Sequence, residues 1–126
     1  MQQSGLEAGE GPHMLSAGKA QKVSIYVSEG SGRHGTDRAM AILDFLFREK
    51  VSGATVLKGV AGFGAHHHLH TSSIVGISDH LPVKVEFIET AERVEQLLPK
   101  LSEMCGHGMI EVQETMIVKP AGSAGR

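Results

Sequence analysis

Apolar and polar residues alternate along parts of this chain with the period of two that is typical of a strand with one covered face. The alternation is strongest at Lys22–Ser28 and Pro82–Glu89. We also predict strands at Ala54–Ala61 and Met109–Val118, and either a short strand or an extended loop arm at Ser72–Ile77. The pattern therefore predicts a sheet with four main strands.

Two helices are predicted between these strands, because apolar residues recur there at helical spacing. We expect the first helix to begin at Gly35 or Thr36 and to stop at Gly53. Its apolar residues are Ala39, Ile42, Leu43, Leu46 and Phe47. Thr90 is positioned to cap the second helix, in which Pro99 is expected to introduce a kink. The apolar stripe of this helix contains Val94, Leu97, Leu98, Leu101 and Met104.

The order of these elements is β-α-β-loop-β-α-β, and each helix has a single apolar stripe. This combination predicts an α+β fold, a ferredoxin-like βαββαβ sandwich with both helices on one face of the sheet. The other face then has no cover within the chain, and we expect it to expose Val60, Ile88 and Ile117 or their neighbours. An exposed apolar face of that kind predicts association between copies.

The chain has 126 residues, a length that suits one folded domain. Residues 1–20 are rich in Gly, Glu, Ser and Ala without periodicity, so we expect a disordered tail there. Residues 120–126 are predicted to form a second flexible tail, which leaves a folded domain at 21–119.

The formal net charge is −2, and no run of basic residues occurs, which argues against a nucleic-acid binder. No apolar run approaches the roughly 20 residues of a membrane-spanning helix. The N-terminus also lacks a signal-peptide pattern, so we expect a cytoplasmic protein. Cys105 is the only cysteine, which excludes a disulfide within the chain and a zinc site built from several thiolates.

The segment 59–71 combines three glycines, four histidines and one phenylalanine. In a helix, His66 and His70 would lie one turn apart, and in a strand His68 would share their face. Because histidine is a common metal ligand, both geometries allow a metal site with His66 and His70 as ligands. The alternative is a solvated loop with incidental metal affinity.

The same segment could instead hold an anion. Backbone N–H groups of Gly62, Phe63 and Gly64 could form a nest for it. Lys58 and Lys84 could reach a phosphate if their side chains point into the same cleft, and the ring of Phe63 could stack on a base. The alternative is that the glycines allow close packing at a subunit interface, where a Cβ would clash.

Two other motifs have weaker interpretations. Gly30–Gly35 has the glycine spacing of a dinucleotide fingerprint, but no acidic residue closes the second strand, so we interpret it as a flexible connection. Ser72, His70 and Asp79 could be assembled into a catalytic set, but neither a nucleophile elbow nor paired carboxylates occur. We therefore expect that the protein is not an enzyme.

A family resemblance rests on several stretches of this sequence. Residues 53–66 read Gly-Ala-Thr-Val-Leu-Lys-Gly-Val-Ala-Gly-Phe-Gly-Ala-His, and His-Thr follows at 70–71. Leu-Pro-Val at 81–83 and Leu-Pro at 98–99 come later. Together these residues resemble the PII-like family catalogued as domain of unknown function 190, over about residues 22–118.

The resemblance implies a homotrimer similar to PII signalling proteins. In those proteins nucleotides sit in clefts between subunits, at the base of a long loop that reaches a partner protein. The equivalent loop here would be residues 62–80. Gly106-His107-Gly108 would take the place of the second nucleotide loop, although it lacks that loop's longer sequence with glycine and lysine. A membrane transporter or channel is the kind of partner that relatives of the PII type imply.

We therefore expect a PII-like regulatory protein in which a small effector, an adenine nucleotide or an anion, orders Gly62–Thr71 for a partner to recognise. The residues assigned to the effector are Lys58, Gly62, Phe63, Gly64, His66, His70, Thr71, Gly106 and Gly108. The alternatives are a protein whose histidine loop binds a divalent metal and a structural trimer that binds no effector.

Overall fold

The computed structural model of the protein describes residues 11–27, 35–63, 70–71 and 81–122. This part of the chain contains helices α1 (Gly35–Arg48) and α2 (Ala91–Met104). Its strands are β1 (Gly18–Val27), β2 (Ala54–Lys58), β3 (Ala61–Gly62), β4 (His70–Thr71), β5 (Val83–Glu89) and β6 (Met109–Ile117). The predicted order of four main strands and two helices is confirmed, whereas the prediction at Ser72–Ile77 lies outside the described residues.

β1, β2, β5 and β6 form one antiparallel sheet in the order β2-β5-β1-β6. β1 is therefore central, paired with β5 on one side and with β6 on the other. This is the ferredoxin-like βαββαβ topology, so the predicted α+β fold is confirmed. β3 and β4 form a separate two-stranded ladder, in which Ala61 pairs with Thr71 and Gly62 pairs with His70.

β1 begins before the predicted start of the folded domain at Gln21. Its first residue, Gly18, pairs with Ile117 near the end of β6. Pairing with β6 therefore extends the strand beyond the alternating stretch from which the boundary was predicted. Residues 18–20, which the sequence prediction assigned to the tail, belong to the sheet.

The core lies between the two helices and one face of the sheet. Val23 of β1 pairs with Phe87 of β5, and Ile25 pairs with Val85, so these side chains share the helix-covered face. The largest fully buried apolar residues are Val23, Ile25, Ile42, Leu46, Val85, Val94 and Leu101. Burial of each such side chain stabilises the fold by roughly 1.5–3 kcal/mol, which explains the alternation in the sequence.

The opposite face of the sheet is more polar than the sequence analysis predicted. Ile88 and Ile117 lie on it and are partly exposed, and Val60 is exposed in the connection after β2. However, its centre is occupied by charged side chains of β1 and β5. The carboxylate of Glu86 lies 2.9 Å from Nζ of Lys84 and 3.7 Å from Nζ of Lys22. This sheet face is therefore weaker support for the predicted association between copies than an apolar face would be.

α1 ends well before the predicted stop at Gly53. Lys50 adopts the left-handed conformation with φ of 64°. Its N–H donates to the carbonyl of Phe47, and the N–H of Val51 donates to the carbonyl of Leu46. These two bonds form a Schellman motif, in which glycine is the usual left-handed residue. The prediction of Gly53 was wrong because a lysine takes this conformation first.

α2 begins at the predicted cap. Oγ1 of Thr90 accepts a hydrogen bond from the N–H of Arg93 at 3.2 Å. Pro99 lies inside the helix, and Cys105 forms its C-cap with an N–H that donates to the carbonyl of Leu101. Of the two described helices, neither is long and apolar enough to cross a membrane.

Residues 11–17, which we call the N-terminal strap, are attached to the sheet through one buried carboxylate. The N–H of His13 donates to the carbonyl of Lys50 at 2.7 Å, and its Nδ1 lies 2.9 Å from Oε1 of Glu89. Glu89 is 0% exposed and also accepts the backbone N–H groups of Ser52 and Thr90. A carboxylate at such a position requires donors of this kind, because burying it without partners is costly.

Candidate functional site

One end of the sheet, which we call the loop end, carries the predicted effector residues. β1 and β2 finish here and β5 begins here, because Val27 and Lys58 both pair with Val83. β6 also begins here, since Tyr26 pairs with Met109. The other end of the sheet, where α1 terminates and the strap is attached, is called the strap end.

The glycines that follow β2 pack against Pro82. The N–H of Gly59 donates to the Pro82 carbonyl at 2.7 Å. A Cβ on Gly62 would lie 2.7 Å from Cγ of Pro82, closer than real Cβ atoms approach. Close packing within one chain therefore accounts for Gly62, whereas the alternative to an anion nest had placed such packing at a subunit interface.

The aromatic and histidine residues of this segment lie partly beyond the described residues. Phe63 follows β3 and is 62% exposed. His70 and Thr71 form β4, whereas Gly64 and His66 lie outside the described residues. Within the described ranges, no group of three potential metal-ligating side chains is found. The metal site with His66 and His70 stays a prediction.

The two lysines proposed for a phosphate are not brought together within one chain. Lys58 pairs with Val83 and shares its helix-covered side of the sheet. Lys84 is the next residue of β5 and faces the opposite side, because strand residues alternate. There its Nζ lies 5.5 Å from the centroid of the Tyr26 ring and bonds to Glu86.

The turn between α2 and β6 is closely packed against β1. A Cβ on Gly108 would lie 1.9 Å from the carbonyl oxygen of Tyr26, so only glycine fits without a backbone shift. Gly106 has φ of 64°, and a Cβ there would lie 3.0 Å from Nη1 of Arg38. Backbone geometry therefore accounts for both glycines, while His107 between them is exposed.

Arg38 is a residue of this end that the sequence analysis missed. It lies in the first turns of α1, and its Nη1 donates to the carbonyl of Met104 at 3.1 Å. The guanidinium therefore lies at the C-terminal end of α2, where a positive charge is favoured. The sequence indicated that this position is unusual, because Arg38 is basic and lies near a helix N-terminus, where acidic residues are favoured.

Cys105 lies beside the same turn and is buried. Burial raises the pKa of its thiol, and the nearby charge of Arg38 opposes that rise only in part. A thiol with a raised pKa is a weak nucleophile at neutral pH. Cys105 therefore behaves as a small buried apolar residue.

The described effector residues fall into two groups. One group is Lys58 at the end of β2, with Gly62, Phe63, His70 and Thr71 in or beside the separate β3-β4 ladder, and the other is Gly106 and Gly108 in the turn before β6. With β5 and β1 between them, β2 and β6 are separated by three strand spacings, or roughly 14 Å. The strand order therefore does not place β2 and the start of β6 next to each other within one chain.

One protein family and a relative from Methanocaldococcus jannaschii each match most of this chain. Residues 20–117 match the family DUF190, described as "Uncharacterized ACR, COG1993". A UPF0166 protein of Methanocaldococcus jannaschii is 34% identical over 102 residues, covering 80% of this chain and 94% of that protein.

Two solved structures have the same fold at low sequence identity. Both are of CPII, a nitrogen regulatory PII-like protein from Thiomonas intermedia K12. The form bound to ADP, AMP and bicarbonate has a TM-score of 0.58 and 18% identity, covering 83% of this chain and 93% of that one. The form bound to ADP and bicarbonate has a TM-score of 0.57 and 19% identity, covering 83% and 94%.

Proposed function

The chain belongs to the DUF190 family and has a PII-like fold, and from this premise we propose that it is a regulatory protein that binds a small effector between subunits. The effector is an adenine nucleotide or a small anion. Its binding orders the segment that includes Gly62–Thr71, and a partner protein recognises the ordered state. The proposed assembly is a homotrimer.

The chemistry of the effector is suggested by the PII-like neighbour. CPII binds ADP, AMP and bicarbonate. At the loop end of the present chain, Lys58 supplies an exposed positive charge and Phe63 an exposed ring. A cation and an aromatic face are suited to a phosphate and a base.

The arrangement of the two residue groups supports a site shared by subunits. The strands that adjoin them, β2 and β6, form opposite edges of the sheet, and the outer sides of β2 and β6 pair with no other described strand. When copies associate around a closed axis, the β2 edge of one copy can approach the β6 edge of the next. Such a contact unites Lys58 and Phe63 of one copy with the Gly106–Gly108 turn of its neighbour.

Thermal denaturation in the presence of nucleotides tests this proposal. ADP, AMP, ATP, cyclic nucleotides and bicarbonate are compared, each at rising concentration. A ligand at 100 times its Kd stabilises by about 2.7 kcal/mol, which corresponds to a rise in Tm of several degrees. A flat response to the whole panel contradicts the effector proposal.

Matched lysine variants localise the effect. Lys58→Ala is expected to reduce the rise in Tm, whereas Lys119→Ala, at the strap end beyond β6, is expected to retain it. The mass in solution, measured by light scattering, is expected to be that of three chains. A monomer under all ligand conditions contradicts a site that is shared by subunits.

A further inference from the structure

A cavity lies at the strap end, away from the residues assigned to the effector. It has a volume of about 610 Å³ and lies between the strap, α1 and the connection from α1 to β2. Small-molecule sites typically measure about 300–1,000 Å³. Its apolar lining consists of Pro12, Met40, Leu43, Phe47, Val51 and Ala54.

This lining includes an apolar stripe of α1 that the core does not use. Met40, Leu43 and Phe47 follow helical spacing and share one side of the helix, next to the inward stripe. Phe47 is 80% exposed and Met40 is 50% exposed. Adjacent large apolar side chains left exposed on a concave surface mark a binding site more often than chance.

The rim of the cavity carries one net positive charge. Nε of Arg48 lies 3.0 Å from Oδ2 of Asp44, so these two charges offset each other. Lys50 also lines the rim, and its ammonium adds a positive charge that this pair does not offset. Charge complementarity therefore favours an occupant with one negative charge.

The backbone at Lys50 supports a role for its side chain. Among the described residues, it is the one non-glycine residue with a positive φ. Glycine would satisfy the same Schellman motif without strain. A lysine held in this conformation is the kind of local strain that accumulates at functional sites.

We propose that this cavity binds a small amphipathic monoanion, with its apolar part against Leu43, Phe47 and Val51 and its charged group at Lys50. Pro12 of the strap forms one wall. The strap is held by the contact between His13 and Glu89, so binding of the anion also stabilises the docked strap. This proposal does not depend on the effector site at the loop end.

Isothermal titration with decanoate, decanol and decyltrimethylammonium, all below the concentration of micelle formation, tests the proposal. We expect one decanoate to bind per chain, decanol to bind more weakly and the cation to bind least. Shortening the acid by two methylene groups is expected to weaken binding about tenfold. Equal binding of the three head groups, or absence of decanoate binding, overturns the proposal.

Substitutions at Lys50 separate the effect of its charge on binding from the effect of its backbone conformation on stability. Lys50→Asn keeps a residue that tolerates the left-handed conformation, and we expect it to weaken decanoate binding about tenfold. Lys50→Arg is expected to retain binding, and Lys119→Asn serves as the matched control. Lys50→Gly is expected to raise Tm while it weakens binding. Unchanged affinity in both Lys50→Asn and Lys50→Gly overturns the proposal.

Methyl NMR of the methionines shows where the ligand binds. The Met40 methyl signal is expected to shift with decanoate, whereas Met109 and Met116 on the far edge of the sheet are expected to stay in place. Phe47→Ser, at an exposed position that the fold tolerates, is expected to weaken binding and reduce the shift. If the stripe is instead a contact between copies, Phe47→Ser lowers the mass in solution and decanoate leaves the Met40 signal unmoved, which overturns the proposal.

Discussion

Gly108 lies in the turn after α2, at a position where even one added side-chain carbon would clash with β1. A Cβ there would lie 1.9 Å from the Tyr26 carbonyl oxygen. We expect Gly108→Ala to lower the free energy of unfolding by at least about 2 kcal/mol, because the turn must move away from β1. Urea denaturation measures the change. Gly53→Ala is the control, since its Cβ would meet nothing within 4 Å, and we expect a change below about 0.5 kcal/mol.

The contact between His13 and Glu89 gives a second test at the level of one residue. His13→Ala removes a side-chain donor from a carboxylate that is 0% exposed and leaves it two backbone N–H groups. We expect a loss of about 1–3 kcal/mol in the free energy of unfolding. His107→Ala, at an exposed position, is the comparison. Equal stability of the two variants would show that the side-chain contact between His13 and Glu89 does not stabilise the fold.

The sequence predicted some of these residues but not others, for physical reasons. Thr90 could be predicted because a capping side chain bonds to a backbone group three residues away. Glu89 and His13 could not, because they meet across 76 positions of the chain. Arg38 and Lys50 were missed because each occupies a position where another residue type is favoured.

At the level of elements, Thr90 starts α2 and its removal should be measurable. Thr90→Ala loses the hydrogen bond from Oγ1 to the N–H of Arg93. We expect the free energy of unfolding to fall by about 1 kcal/mol. Ser102→Ala, at an exposed position inside the same helix, is expected to be neutral or slightly stabilising, because alanine favours a helix. A smaller loss at Thr90 than at Ser102 contradicts the capping role.

The strands and helices were predictable because burial on one side of each element leaves a period in the sequence. The alternation at Pro82–Glu89 corresponds directly to β5. The ends were less predictable, because partners elsewhere in the chain set them. β1 is longer than predicted because its first residues pair with β6. α1 ends where Lys50 adopts a positive φ and the backbone closes a Schellman motif, which any residue able to adopt that conformation can do.

At the level of the whole molecule, the charged centre of the uncovered sheet face should make folding depend on pH. The hydrogen bond from Lys84 holds the pKa of Glu86 below its usual value of 4.5. Because the folded pKa is lowered, the stabilisation is complete above about pH 4.5 and is lost as pH falls through the lower folded value.

We therefore expect the difference in Tm between the wild type and Glu86→Gln to shrink as pH falls below about 4.5 and through the lowered pKa of Glu86, where the folded carboxylate becomes protonated. The difference should also shrink at high salt, because both charges are accessible to solvent. A constant difference across this pH range contradicts a contribution from the ionised carboxylate.

The sequence predicted which residues belong to the candidate site, but not how those residues are arranged in space. The loop between β2 and β5 and the turn before β6 are recognisable from glycine content. Their separation depends on the strand order β2-β5-β1-β6, which places β2 and β6 at opposite edges. The opposite directions of Lys58 and Lys84 likewise follow from register, which one sequence does not reveal.

The unpaired outer side of β6 has a consequence for isotope exchange. This strand extends over Met109–Ile117, and within the described chain it pairs only with β1. In an isolated subunit its outward amide protons should take up deuterium from heavy water quickly, while those of β1 stay protected on both sides. If neighbouring copies cover this edge, dilution into deuterated buffer should give slow uptake along β6 at high protein concentration and fast uptake at low concentration.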